Sequence, residues 1–475
     1  MKIQPYVTEH IYDEMFENNE KCRPHYALFR EEIEAIANRR LKQLQHSTDQ
    51  AQRAIGMTFN VYHDKKGLER ILHLDIIPRI IDGKNWEIIE KGLAQRIQAL
   101  DMFLHDIYNE GNIFKEKIIP EELVLSSQDY LKPCKGLTPP KGRWCHITGT
   151  DLVRDGKGDF YVLEDNLRCP SGVSYMLESR QILKRTFPRL LNELGVRPVS
   201  DYPNQLLQML KYMSDKERPQ VVVLTPGIFN SAYFEHSYLA NEMGVPLVTG
   251  QDLIVENDHV FMQTTKGLRQ VDVIYRRIDD KFLDPLAFNK ESLLGTPGLF
   301  QSFKKGNVAL ANAPGTGVAD DKAVYAYVPK LIKHYLDEEP IIDNVPTYLC
   351  REESDRKYVI ENIESLVVKE TNAAGGYGML IGPKATKAEH SKFRKLVKDN
   401  PNNYIAQPTL SLSTVPTVTG SKIDGRHVDL RPYILYGKKV EVIPGALTRV
   451  ALKKGSLVVN SSQGGGSKDT WVLYK

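Results

Sequence analysis

The stretch Asp151-Leu-Val-Arg-Asp-Gly-Lys-Gly-Asp-Phe-Tyr-Val-Leu-Glu164-Asp-Asn166 reads as a β-hairpin that carries chemistry. Extended-type runs from 146 to 154 and from 159 to 166 flank Asp155-Gly-Lys-Gly158, and its two glycines suit the positive φ of a turn. Residues two apart on a strand share a face, so Glu164 and Asn166 project together while Asp165 points away. Pairing Arg154 with Asp159 around the turn sets Asp151 across from Val162, on the face of Glu164, and three oxygen ligands converge. A slip of one residue would turn Asp151 to the other face. Two carboxylates and an amide suit magnesium, which takes oxygen ligands, keeps several waters and shares substrate phosphates. An E-x-N triplet by itself fits an ordinary solvent-facing hairpin as well. Asp151 and the following turn, Arg168-Cys-Pro-Ser171-Gly172, add weight to the metal reading.

About 200 residues further on stands Val367-Val-Lys369-Glu-Thr-Asn-Ala-Ala-Gly375-Gly376-Tyr377-Gly378. This is a strand with a lysine at its end, followed by glycines whose backbone N–H groups can converge on an anion. The lysine precedes the glycines, so this is not a Walker A loop, and a surface hairpin with a solvated lysine is the plainer alternative. Tyr404-Ile-Ala-Gln407-Pro408 reads as the next strand, with an end that offers hydrogen bonds to a base. Arg431, within Asp429-Leu-Arg431-Pro-Tyr-Ile-Leu-Tyr436, is placed to brace a transferring phosphoryl group. Together the stretches form the two halves of an ATP site, in the order metal before clamp.

A chain of 475 residues, 41% of them hydrophobic, exceeds one core and implies roughly two to four domains. Its formal charge of +3, without long runs of one sign, argues against nucleic acid and anionic membranes as partners. The five cysteines are scattered without a C-x-x-C pair and read as reduced thiols. The N-terminal residues carry no apolar signal region, and runs such as Val221-Val-Val-Leu224 are too short to span a bilayer. The expectation is a soluble, cytoplasmic protein.

Four regions follow from the patterning. Residues 1–125 are expected to be mostly helical, with one buried stripe through Trp86, Ile89, Leu93, Ile97, Leu100, Leu104 and Ile107. Lys91, Gln95, Arg96 and Gln98 lie between, on a solvated or inter-domain face, and residues 56–62 alternate as a strand. Residues 126–215 carry the hairpin. Residues 216–305 contain an apolar strand, a glycine loop, a helix and a strand, as in a parallel α/β support domain. A dinucleotide site there is disfavoured because the glycine fingerprint is missing. Val271-Asp-Val-Ile-Tyr-Arg276-Arg277-Ile-Asp279-Asp280 adds a strand whose charged end is expected near substrate. Residues 306–475 hold the clamp, preceded by Asn312-Ala-Pro-Gly-Thr-Gly317 and Asp320-Asp-Lys322.

With these residues in hand, the chain resembles the circularly permuted ATP-grasp proteins related to glutathionylspermidine synthase. The likeness runs through Arg23-Pro-His-Tyr26, Gly56-Met-Thr-Phe59, Ile77-Pro-Arg-Ile80, residues 149–180, Tyr275-Arg-Arg-Ile-Asp-Asp280, Asn312–Gly317 and Lys369–Gly378. In ordinary ATP-grasp enzymes the clamp precedes the metal carboxylates; here it follows them, which is the permutation. The resemblance implies an α/β (α+β), circularly permuted ATP-grasp fold with a mostly helical N-terminal region and an inserted parallel α/β domain. It further implies that Asp151, Glu164 and Asn166 hold magnesium, that Lys322 and Lys369 contact ATP phosphates, and that Gly375, Gly376, Tyr377 and Gly378 form a flap. Gln407 would lie near the adenine and Arg431 would face the γ-phosphate, with Arg431 and Lys369 as catalytic groups. The implied reaction joins a small-molecule or peptide carboxylate to an amine through an acyl phosphate.

One departure bears on the acid. The glutathione-handling synthases carry an arginine two residues before the metal aspartate, where this chain has Gly149, which counts against glutathione. Ser171, Arg168, Arg276 and Arg277 are the candidate contacts for a peptide-like acid. Cys145 and His146 are read as packing or supporting residues. Two other readings share the same residues: a non-catalytic ATP-binding scaffold that regulates a partner protein, and an ATP-grasp phosphotransferase that stops at a phosphorylated product.

Overall fold

A computed structural model describes residues 6, 11–18, 21–60, 69–372, 378–420, 422–459 and 464–475. A seven-stranded sheet forms its centre. The strand order is Leu74–Ile81, Gly466–Val472, Val440–Val450, Lys422–Tyr436, Ile147–Arg154 and Phe160–Asn166, with Thr414–Thr419 paired to the first part of Lys422–Tyr436. Leu74–Ile81 and Gly466–Val472 run parallel, and the other pairs are antiparallel. The N-terminal region, expected to be mostly helical, thus gives a strand to the central sheet. Every residue of Leu74–Ile81 is buried: its aliphatic positions fit a place between covered faces, and its two charges are paired, Asp75 with Lys468 and Arg79 with Glu14.

The expected helix runs from Gly83 to Tyr108. Asp82 caps it, accepting a 3.0 Å hydrogen bond from the Asn85 N–H. Trp86, Ile89, Leu93, Ile97, Leu100, Leu104 and Ile107 are all buried. The polar face is divided. Lys91 is exposed and pairs with Glu87, whereas Gln95 and Arg96 are buried and reach other segments. Arg96 grips Asp165 with Nε at 2.9 Å and Nη2 at 2.7 Å, so the residue between Glu164 and Asn166 ties the back of the hairpin to this helix.

The support domain is the expected parallel unit, with strands in the order Ala309–Ala311, Val273–Arg276, Val221–Leu224 and Leu247–Val248. It extends past residue 305, since Ala309–Ala311 belongs to it. Residues 56–62 give a short strand, Thr58–Asn60, paired with Glu69–Ile71. A four-stranded sheet in the order Tyr348–Leu349, Tyr404–Pro408, Leu366–Glu370, Leu380–Ile381 carries Lys369 and Gln407, the residues of the candidate clamp. It has its own core, including Val359, Ile363, Val368 and Val397. Among the described residues no helix is long and apolar enough to cross a membrane.

Candidate functional site

Local turn chemistry fixes the hairpin. The Asp155 carboxylate accepts hydrogen bonds from the N–H groups of Lys157, Gly158 and Asp159, at 2.9, 2.9 and 3.0 Å, and the Asp155 N–H donates to the Asp159 carbonyl at 3.0 Å. Asp155 and Asp159 therefore close the loop, and Arg154 pairs with Phe160, one residue later than the spacing predicts. That slip would face Asp151 away, but Leu163 bulges between the Leu152–Val162 and Asp151–Glu164 pairs. A bulge restores the facing. Asp151 lies directly opposite Glu164, and Asn166, opposite Gly149, follows two residues on. Asn166 Nδ2 is buried without a hydrogen-bond partner.

Strand pairing brings two arginines to Asp151. Leu430 pairs with Leu152 and Tyr433 with Gly149, which places Arg431 beside the aspartate. Arg431 Nε donates to Asp151 Oδ1, and its Nη2 donates to Oδ2 at 2.7 Å. Arg449 stands opposite Asp429 on the next strand, donates Nε to Asp429 Oδ1 at 2.9 Å, and reaches Asp151 Oδ2 with Nη2 at 2.6 Å. Burial by itself would raise the Asp151 pKa, but the two guanidinium groups overcome it and hold the carboxyl well below its usual range. Glu164 is held more loosely, with Arg431 at 3.7 Å and Lys322 at 3.9 Å. Burial, and then the charge of Asp151, push its pKa up.

The clamp sheet supplies the opposing wall. Val367 pairs with Gln407 and Lys369 with Ile405, so Lys369 and Gln407 are diagonal neighbours on one face. Lys369 Nζ donates to Gln407 Oε1 at 2.7 Å, and Gln407 Nε2 donates to Thr347 Oγ1 at 3.0 Å. Burial pulls the Lys369 pKa down to about 8. Lys322 opens the short helix Lys322–Tyr325, which Asp321 caps by accepting from the Ala323 N–H, and its own N–H donates to the Thr371 carbonyl. Gly378 has φ +67°, and a Cβ there would approach the Glu370 carboxylate carbon at 3.1 Å. Gly375, Gly376 and Tyr377 lie outside the described residues.

These groups share one cleft of roughly 1040 Å³, open to solvent. Asp151, Glu164, Lys322, Lys369, Gln407 and Arg449 line its charged end, and Val153, Leu163, Val367, Met379 and Ile381 are among its apolar walls. An apolar slot with a few convergent polar groups has the form of a small-molecule site. Among the described residues no group of three or more His, Cys, Asp or Glu is assembled for a metal. The two facing carboxylates, with the Asn166 side-chain amide two residues beyond Glu164, nonetheless fit magnesium, which takes oxygen ligands and leaves its other positions to water and phosphate. A divalent cation would also relieve the repulsion that raises the Glu164 pKa.

The candidate acid contacts lie apart from this cleft. Arg168 is half-buried between Asp129 and Asp279, each at 3.1 Å. Ser171 accepts a 3.3 Å hydrogen bond from the Tyr433 hydroxyl through its carbonyl. Arg276 and Arg277, expected as carboxylate holders at a strand end, are buried and face protein groups. Arg276 binds the carbonyls of Asn312 and Ile278 and pairs with Asp280, while Arg277 binds the Pro170 carbonyl and Glu235. A strand end in a parallel sheet becomes a packing junction here. Cys145 and His146 are fully buried behind the sheet start, and burial drives the His146 pKa down to about 3, so the ring is neutral. Spacing alone did not bring out Arg449, whose signal is its cross-strand position opposite Asp429.

A cleft between a central, mostly antiparallel sheet bearing acidic and guanidinium groups and a smaller sheet bearing a lysine is the arrangement of an ATP-grasp protein. The chain belongs to the family described as circularly permuted ATP-grasp type 2, whose profile matches residues 78–451. It is similar to an uncharacterised protein of Synechocystis sp., 56% identical over 476 residues that cover 100% of this chain and 99% of the relative. An uncharacterised protein of Mycobacterium tuberculosis is 47% identical over 479 residues, covering 98% and 86% of the two chains. A Frankia alni protein with the provisional name glutamate–cysteine ligase 2-3 is 39% identical over 466 residues, covering 97% of this chain but 54% of that one. Among solved structures, the apo form of a glutathione synthetase-like effector from Globodera pallida superimposes with a TM-score of 0.58 at 11% identity, covering 92% and 98% of the two chains. That likeness shows a shared fold.

Proposed function

We propose that this protein is an ATP- and magnesium-dependent carboxylate–amine ligase acting in the cytoplasm, related in mechanism to glutathionylspermidine synthase. The observation that carries this reading is the make-up of the cleft. Two facing carboxylates with Arg431 beside them stand across from Lys322, Lys369 and Gln407, and no Cys, His or Ser is among the described lining residues. A site rich in fixed charge and without a cysteine, histidine or serine suits phosphoryl transfer, where the protein's work is positioning and neutralisation.

In this reading Asp151, Glu164 and Asn166 hold magnesium, which when bound neutralises charge on the phosphate oxygens. Lys322 and Lys369 contact the phosphates, Arg431 braces the γ-phosphate, and Gln407 orients the base against the apolar walls. The loop role read for Gly375, Gly376, Tyr377 and Gly378 is part of the same proposal. A substrate carboxylate attacks the γ-phosphorus and ADP leaves; the amine then displaces phosphate from the acyl carbon to leave an amide. Arg168 and Ser171 are assigned to the acid. A Cβ on Gly149 would lie 3.3 Å from Pro170 Cβ, which would have to give slightly, and 3.6 Å from the Arg431 side chain, an ordinary contact. The glycine in place of the arginine of the glutathione-handling synthases supports an acid other than glutathione. The name of the Frankia relative accords with carbon–nitrogen ligation, although it belongs to a protein about twice as long.

The test is purified protein with ATP, magnesium and pools of amino acids, peptides and polyamines. ADP and phosphate release, with an amide-linked product by mass spectrometry, is the expected result. Failure of every pool, together with no binding of magnesium–nucleotide, would sink the proposal.

A further inference from the structure

Asp151, the carboxylate assigned to the metal, is already saturated at one oxygen. Oδ2 accepts from Arg431 Nη2 at 2.7 Å and from Arg449 Nη2 at 2.6 Å, and Oδ1 accepts from Arg431 Nε. An oxygen with both lone-pair directions occupied by guanidinium N–H groups is a poor ligand for a bare cation. The two arginines differ in what they keep if Asp151 turns to a metal. Arg449 retains a fork on Asp429, through Nε at 2.9 and 3.0 Å and a further contact from Nη2. Arg431 retains only Glu164, at 3.7 Å, among the described residues.

Charge balance points the same way. Lys322, Lys369, Arg431 and Arg449 face Asp151, Glu164, Glu370 and Asp429 around the cleft. A bare divalent cation would leave this half-buried site with uncompensated positive charge and Arg431 without a partner. A cation that arrives with a polyphosphate brings the anion that Arg431 needs.

We infer that Arg449 is a specificity-determining residue: by holding Asp151 together with Arg431, it makes the site accept a divalent cation with a nucleoside triphosphate in preference to the free cation. The inference rests on the proposed ATP–magnesium site. Arg449, clamped to Asp429, sets how tightly Asp151 is withheld, and Arg431 transfers to phosphate when the nucleotide enters.

The experiment counts free Mn²⁺ by electron paramagnetic resonance during titration of the full chain, with and without the non-hydrolysable analogue AMP-PNP. Wild type is expected to bind Mn²⁺ about 10–100-fold more tightly with AMP-PNP present, the range of ordinary site-to-site coupling. In Arg449→Gln, Mn²⁺ alone should bind about tenfold more tightly than in wild type, and the gain from AMP-PNP should shrink by a similar factor. Arg449→Lys keeps a charge beside Asp429 without the fork that reaches Asp151; it should shift in the same direction, and it serves if the glutamine variant does not fold. Equal tightening of Mn²⁺ with and without AMP-PNP in Arg449→Gln, with Arg449→Lys like wild type, would reduce the arginine to a general charge and overturn the inference. Wild type that binds Mn²⁺–AMP-PNP, with unchanged free-Mn²⁺ affinity in both variants, overturns it while leaving the proposed function standing. Wild type that binds no Mn²⁺–AMP-PNP overturns both.

Discussion

Two ionic clusters sit on the same strand, Ile147–Arg154, three residues apart, and they are built to opposite ends. Around Arg154, Glu14 accepts from Arg79, from Arg154 at 2.9 Å and from the Ser413 hydroxyl at 2.8 Å. Arg154 also donates to the Gly158 carbonyl and lies over the rings of Tyr12 and Phe160. Glu14 is fully buried. Around Asp151 the charges are of the same kind, but Glu164 is 30% exposed with its cationic partners beyond hydrogen-bond distance, and Lys322 and Lys369 line an open cleft. In the Glu14 cluster both carboxylate oxygens meet donors at hydrogen-bond distance, although Arg79 Nε is buried without a partner, whereas Glu164 has its arginine and lysine only at 3.7 and 3.9 Å. Burial and ion pairing look alike in the two clusters; how closely the carboxylate is matched by its cations differs.

The largest effect that tests this contrast is on stability. Glu14→Gln leaves Arg79 buried beside a neutral partner and should cost about 3–5 kcal/mol, read from the denaturant midpoint. A cost below about 1 kcal/mol would show that this cluster too has slack. Its pH dependence has a fixed sign. Burial by itself would raise the Glu14 pKa, but Arg79 and Arg154 overcome it and hold it at about 2, against 4.5 for a free glutamate. The stabilisation is therefore fully present above about pH 4.5 and is lost as pH falls toward 2.

Glu164→Gln should do the reverse: stability changes by under about 1 kcal/mol, because its partners are distant and it is partly solvated, while affinity for magnesium–AMP-PNP falls roughly 100-fold in calorimetry. A variant that instead melts early while still binding nucleotide would assign Glu164 to the structural side. Lys369 gives a smaller, pH-dependent signal. With its pKa pulled down to about 8, the free protein loses the ammonium as pH rises through that value, so nucleotide affinity should decline several-fold between about pH 7 and 9. Lys369→Met should bind more weakly and show a flat profile. The smallest effect expected is for Gln407→Ala, about fivefold in nucleotide affinity, since one hydrogen bond of about 1 kcal/mol is at stake.

What could be read in the sequence depended on local geometry. The alternation of Glu164, Asp165 and Asn166 assigns their faces correctly, and the structure supplies Arg96 as the reason for the outward Asp165. The hairpin register could not be counted from the turn, because the Asp155 cap lengthens the loop and the Leu163 bulge then corrects the facing. Arg449 fails for a similar reason. Counting back from the Tyr436–Val440 pair puts Asp429 opposite Leu447, and the irregularity between Pro432 and Ile434 moves the partner to Arg449. Arg276 and Arg277 misled because a run of charges closing a strand looks the same whether it meets ligand or packed backbone.

The parallel pairing of Leu74–Ile81 with Gly466–Val472 has a consequence for how the molecule forms. Gly466–Val472 is inserted between Leu74–Ile81 and Val440–Val450, the strand that carries Arg449. During synthesis the first of these strands emerges hundreds of residues before its partner, and in the folded protein it is buried throughout. Loop closure over that span is slow, and a strand awaiting its neighbour is exposed to wrong pairings. Folding of the central sheet is therefore set by its last strand, and a nascent chain would be the state most in need of a chaperone's cover.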